Sequence, residues 1–169
     1  MKKIISLILV SAMIFSAFAF ASSAAPEGYC IRFDETAAYS IFHGFTFQPN
    51  NTTVSFDVSM SEGTNGSPSL SVNGNVTINL QAIAVGGNAR NIDWGTAKLE
   101  HWRHIDIMYS GNGKANVYLD GMPWANGSAS MPDDFIYFLG APGRVLIDNV
   151  IIETGGVSVC NMTFDDLSY

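Results

Sequence analysis

The sequence predicts an all-β chain folded as a two-sheet antiparallel β-sandwich of the jelly-roll kind, and three observations carry that expectation. Apolar residues recur with a period of two almost everywhere between the N-terminal apolar run and Tyr169. Clusters of Gly, Asn, Pro and Asp bound these runs at short intervals, and no amphipathic helix of useful length occurs. Roughly ten or eleven short strands suit a sandwich better than any helix-bearing fold. The 169 residues, 47% hydrophobic and 14% charged, supply one packed core and leave no room for two ordinary domains.

The chain opens with Lys2 and Lys3, an apolar run over residues 4–20, and Ala19-Phe20-Ala21, which fits the small-x-small pattern read by a signal peptidase. Residues 1–21 are therefore expected to be a signal peptide, and residues 22–169 a single secreted or periplasmic domain. The alternative, an uncleaved membrane anchor, rests on a run that could nearly span a bilayer. Cleavage after Ala21 leaves six basic against fifteen acidic side chains, a net charge of −9. A chain with that balance lacks the basic excess demanded by nucleic acid or anionic lipid. No second apolar stretch of membrane length follows, so no membrane insertion is expected after cleavage.

Residues 29–33 alternate, with Tyr29, Ile31 and Phe33 on one face, and Phe45 and Phe47 continue the pattern. Val54, Phe56 and Val58 read as the inward side of a third strand whose Thr53, Ser55, Asp57 and Ser59 point to water. Residues 70–72, Asn73-Gly74 and residues 76–83 form the clearest hairpin, because Asn-Gly accepts the positive φ angles of a tight type I′ turn. A second hairpin joins residues 105–109 to 115–119 through Gly111-Asn112-Gly113, and Asp120-Gly121 reverses the chain again. Residues 135–139 and 145–152 follow, the latter so apolar that it reads as a central strand, and the last strand covers 157–164. Residues 62–69 and 122–134 read as the longest irregular stretches, the places where a sandwich commonly builds a binding site. Cys30 and Cys160, an even pair in an exported chain, read as one disulfide closing a loop of 130 residues, worth about 4 to 5 kcal/mol in the chain-entropy model.

The run Leu99-Glu100-His101-Trp102-Arg103-His104-Ile105-Asp106-Ile107, the Gly-Asn-Gly turn, Val117-Tyr118-Leu119-Asp120-Gly121 and Val145-Leu146-Ile147-Asp148-Asn149-Val150 together resemble concanavalin A-like lectin/glucanase domains. The laminin G-like and pentraxin-like branch is the nearest, and the resemblance is strongest over residues 99–152. It implies two antiparallel sheets packed face to face, often with a sugar or protein ligand and sometimes a calcium ion. The glucanase strand of that superfamily, Glu-x-Asp-x-(x)-Glu, is missing. Glu100 and Asp106 have no third partner, while Asp148 and Glu153 lie five apart and so face opposite sides of a regular strand.

Trp124, within the segment Asp120-Gly121-Met122-Pro123-Trp124-Ala125-Asn126-Gly127, is the leading ligand-binding candidate, because no strand pattern explains a large aromatic there. Trp94 is its companion, and Tyr118 can join the platform. Trp102 matches the family's packing position. His101 and His104, three apart in a strand, point to opposite faces and read as surface or turn residues, with His43 remote. Asp133, Asp134 and Asp148 are the candidate oxygen ligands should calcium bind, and apart from that ion no cofactor is expected. Arg32, Arg90, Arg103 and Arg144 are scattered, without a cluster that reads as an anion site. The functional expectation is a secreted, noncatalytic domain that binds a glycan or a cell-surface ligand. The alternatives are a divergent glycoside hydrolase or polysaccharide lyase on the same scaffold, and a structural or adhesive protein-interaction module.

Overall fold

The computed structural model describes residues 31–33, 37–42, 48, 51–61, 67–94, 101–131, 135–140 and 144–163. Thirteen strands lie among the described residues: β1 (Ile31–Phe33), β2 (Ala37–Phe42), β3 (Thr52–Ser61), β4 (Ser69–Val72), β5 (Val76–Asn79), β6 (Ala82–Val85), β7 (Asn88–Asn91), β8 (Arg103–Ser110), β9 (Lys114–Leu119), β10 (Met122–Ser128), β11 (Phe135–Gly140), β12 (Arg144–Thr154) and β13 (Val157–Met162). They form two antiparallel sheets packed as a jelly-roll sandwich, as the periodicity predicts. The seven-stranded sheet has the order β1-β12-β3-β8-β9-β10, with β13 also on β12, and the six-stranded sheet the order β2-β11-β4-β5-β6-β7. The residues expected to be a signal peptide, together with Phe45 and Phe47, lie outside the described residues.

Alternation along each strand builds the core. Val54, Phe56, Val58, Ile105, Ile107, Val117, Leu119, Ile147, Val150 and Ile152 point inward from the larger sheet, and Leu70, Val72, Val76, Ile78, Ile83, Val85, Ile136 and Phe138 meet them from the smaller. Phe56 and Phe138 join the two layers edge to face, with centroids 5.2 Å apart. β12, the most apolar run, is central: β3 pairs along one of its edges, and β1 and β13 share the other.

Turn chemistry positions the hairpins. Asn73 (φ 51°) and Gly74 (φ 67°) make the expected turn between β4 and β5. The buried Asn73 amide also accepts from Tyr137 N (3.0 Å) and donates to Tyr109 Oη (3.1 Å), so the turn is tied to both sheets. Burial pushes the Tyr109 hydroxyl up to about 12. The expected strand over 76–83 is instead two strands, because Asn79 Oδ1 accepts from Gln81 N and Ala82 N, both at 2.8 Å, and turns the chain between β5 and β6.

Residues 122–128 are a strand rather than the expected irregular stretch. Asp120 (φ 50°) and Gly121 (φ 76°) form a two-residue turn that sets Met122 opposite Leu119, and the ladder survives a bulge between Pro123 and Ala125. β10 then closes on the edge of the smaller sheet. A Cβ at Gly127 would stand 2.1 Å from the Val85 carbonyl oxygen, and one at Gly86 would stand 2.1 Å from that of Ser128. Only glycine permits so close a backbone approach.

The expected Cys30–Cys160 disulfide is not seen among the described residues. Cys160 is a free thiol packed in the core, and burial pushes its pKa up. β13 and β1 lie end to end along one edge of β12, with Cys160 opposite Ile152 and Ile31 opposite Ile147. That separation of four to five strand steps is roughly 13 to 16 Å. Cys30 lies outside the described residues.

Two measurements check this architecture. Ile107→Ala and Ile147→Ala, at fully buried positions, should each lower unfolding free energy by about 3 kcal/mol in urea titrations, whereas Met108→Ala on the outward face should change it by less than ~0.5 kcal/mol. Cys160 should react with a thiol reagent when the unreduced protein is denatured. A peptide linking Cys30 to Cys160 in a non-reducing digest would contradict the free Cys160 thiol.

Candidate functional site

The alternation that buries Val54, Phe56 and Val58 turns Ser55 and Asp57 outward on β3, and the same logic turns out His104, Asp106 and Met108 on β8 and Asn116 and Tyr118 on β9. Register arranges these side chains in two rows across the seven-stranded sheet. Asp148, Asp57 and His104 face one another on β12, β3 and β8, and Ser55, Asp106 and Tyr118 do so on β3, β8 and β9.

His104 bridges the rows. Its Nδ1 lies 2.8 Å from Asp57 Oδ1 and its Nε2 3.2 Å from Asp106 Oδ1. Ser55 Oγ donates to the same Asp106 oxygen at 2.6 Å, and Asn149 Nδ2 donates to Asp57 Oδ2 at 2.7 Å. Asn149 can reach Asp57 because it adopts φ 50° at a bulge in β12, where its own N–H donates to Asp148 Oδ1 at 2.6 Å. The His104 backbone is held as well: its N–H donates to Asp120 Oδ1 (3.0 Å), its carbonyl accepts from Asp120 N (2.9 Å), and Arg103 pairs with Asp120 Oδ2 at 2.9 Å.

The electrostatics follow from this geometry. The hydrogen bond to Asp106, then that to Asp57, outweighs burial and raises His104 from 6.5 to about 10, so both ring nitrogens carry protons at neutral pH. Burial works to raise Asp106, but the hydrogen bonds from His104 and Ser55 prevail and hold its carboxyl below the usual carboxylate range. Asp106 keeps its second oxygen for a further donor beside the half-buried Tyr118. A glycosidase pair requires one carboxyl held protonated and room for substrate between the two. Here the His104 ring stands between Asp57 and Asp106, and the cluster holds its hydrogen-bonding groups in fixed positions.

The residues singled out in the sequence fall in different places. Tyr118 lies on this outward face. Trp94 is 7% exposed in the core with its Nε1 donating to Asn79 O at 3.0 Å, the setting of a packing residue. Trp102 is buried, as its match to the packing position implies. Trp124 sits at the β10 bulge rather than in an open loop. One face of its half-buried ring is covered by the Arg90 guanidinium, 4.4 Å from the ring centroid. Asp133 and Asp134 lie outside the described residues, and Asp148 is fully buried. Among the described residues no group of three or more His, Cys, Asp or Glu is arranged to hold a metal. His104, read from spacing as a surface or turn residue, is the centre of the cluster. Strand alternation already turned Asp57 outward, but the pairing of β3 with β8, nearly fifty residues apart, leaves no local trace in the sequence.

No protein-family model and no curated protein matches the chain. Among solved structures it is similar to the ligand-binding domain of botulinum neurotoxin serotype D in complex with N-acetylneuraminic acid, at 13% identity and TM-score 0.51, over 85% of this chain and 42% of that one. It is also similar to a fructosyltransferase from A. japonicus, at 10% identity and TM-score 0.50, over 90% of this chain and 29% of that one. A third similar structure is the carbohydrate-binding module CBM66 from Bacillus subtilis, at 13% identity and TM-score 0.47, over 76% of this chain and 92% of that one. The shared feature is the β-sandwich jelly-roll fold, and the chain spans less than half the length of either of the first two.

The His104 network predicts a pH signature. Because folding raises the His104 pKa, its stabilisation is complete below pH 6.5 and is lost as pH rises toward about 10. The melting temperature of the wild type should therefore fall steadily between pH 6.5 and 9.5, and His104→Gln should flatten that slope. Equal slopes in the two proteins would detach the imidazolium from Asp57 and Asp106. Asp106, held low, contributes in the opposite sense: its stabilisation is lost as pH drops below the ordinary carboxylate range.

Proposed function

We propose that the chain is a noncatalytic glycan-binding domain of the concanavalin A-like, laminin G-like kind, and that it binds through the outward face of its seven-stranded sheet. The observation that carries this reading is the row Ser55–Asp106–Tyr118, locked by His104 and Asp57. A carboxylate oxygen at a set position stands beside a partly exposed aromatic ring on the next strand.

Sugars present hydroxyls that need donors and acceptors in defined places, and an apolar ring face that stacks on aromatic side chains. Asp106 accepts from a hydroxyl, held in place by His104, and Tyr118 supplies the ring. Met108, 44% exposed beside them, extends the apolar part of the surface. Because the polar groups are already tied to one another, little side-chain freedom is lost on binding. The fold is compatible with the reading, since the chain is similar to part of a neurotoxin ligand-binding domain whose structure is in complex with N-acetylneuraminic acid. Export directed by residues 1–21 brings this face to glycans outside the cytoplasm.

A glycan array followed by calorimetry on the best ligand tests the proposal. Tyr118→Ala and Asp106→Asn should each weaken binding by about tenfold or more, equivalent to ~1.4 kcal/mol, with an unchanged far-ultraviolet circular dichroism spectrum. Wild-type affinity in both folded variants would remove this face from the site.

A further inference from the structure

The corner where β7 and β10 meet differs in charge from the rest of this acidic chain. Residues 82–92 and 121–131, which include β6, β7 and β10, contain no Asp or Glu, and their one charged side chain is Arg90. Arg103, by contrast, is paired with Asp120 at 2.9 Å. Among the described residues no carboxylate pairs with Arg90. It lies flat over Trp124 at 4.4 Å from the ring centroid, with Nη1 donating to the Trp124 carbonyl at 2.9 Å. Trp124 is itself held at the β10 bulge against the edge of the core. The guanidinium is thereby immobilised while its residue stays exposed, and among the described residues its remaining N–H groups have no partner. Asn88 and Asn91 on β7 and Asn126 on β10 are exposed as well.

An oriented guanidinium without a carboxylate partner presents forked donors that match a planar or tetrahedral oxyanion. We propose that Arg90, positioned by Trp124, binds the carboxylate or sulfate group of an acidic glycan. The inference rests on the glycan-binding reading and names its ligand class. Continuity supports a single ligand: Pro123, next to Trp124, pairs directly with Tyr118, so a saccharide on the outward face continues over Pro123 to Arg90. Trp124 is a positioning residue here, since its ring face is taken by the guanidinium.

The test uses the full mature chain on an array that prints acidic glycans beside their neutral counterparts, including oligogalacturonate beside its methyl ester and sulfated beside desulfated oligosaccharides. An aspartate-rich peptide is added as a separate arm. The wild type should bind an acidic form about tenfold more tightly than its neutral counterpart, and the preference should shrink in ~1 M salt, where the screening length falls to about 3 Å. Arg90→Gln should abolish the preference while leaving neutral binding intact, and Arg90→Lys should retain part of it. Melting temperature and circular dichroism establish that the variants fold, which separates ligand recognition from a purely structural clamp between β7 and β10. Equal binding of charged and neutral forms by the wild type would overturn the inference and leave the glycan reading standing, as would a preference that survives in folded Arg90→Gln. Binding of no glycan in either form would overturn both, and Arg90-dependent binding of the peptide alone would replace the glycan by an acidic polypeptide.

Discussion

Three carboxylates on three neighbouring strands, Asp148, Asp57 and Asp106, sit on one face of the seven-stranded sheet, with the His104 imidazolium among them. Like charges directly opposite on paired strands repel, and the low exposure of Asp57 and Asp148 strengthens the repulsion by keeping water away. Much of the local structure answers that constraint. His104 takes a hydrogen bond to each of two carboxylates and stays protonated well above neutrality. Asn149 enters a left-handed conformation, which opens the bulge in β12 and carries its amide to the second oxygen of Asp57. A backbone irregularity in the central strand and an unusual histidine are thus two parts of one electrostatic solution.

That solution also defines what the face can do. A network whose members hold one another in place presents fixed donors and acceptors, and Asp106 held ionised beside a protonated His104 is poorly placed to exchange protons with a substrate. Rigid recognition and acid–base catalysis make opposite demands on such groups, since the first wants them far from titration and the second wants one near it. On the edge of the other sheet, Arg90 is likewise immobilised by an aromatic face and a carbonyl.

The scaffold beneath depends on close backbone contact at its edge. Gly86 and Gly127 let β10 of one sheet approach the β6–β7 turn of the other, which brings Arg90 within reach of Trp124. Larger side chains there would hold the sheets apart, and the aromatic–guanidinium contact would go with them. Packing of the core and assembly of this corner are therefore linked through two residues that carry no side chain.

The sequence by itself determined the strand periodicity, the two-sheet class, the Asn73-Gly74 and Asp120-Gly121 turns and the central place of β12, because each depends on residues adjacent in the chain. It also showed which side of β3 faced outward, Asp57 included, since a period of two separates the faces of any strand. Which strands became neighbours lay beyond that local information. The pairing of β3 with β8 put Asp57 and Ser55 against His104 and Asp106, and the close contact of β10 with β7 laid Arg90 over the ring read as an open platform. Cys160, which composition reads as half of a disulfide, is a free thiol in the core. These outcomes were decided by the tertiary structure because alternation specifies the face a side chain takes, whereas register and sheet order come from packing between segments remote in sequence.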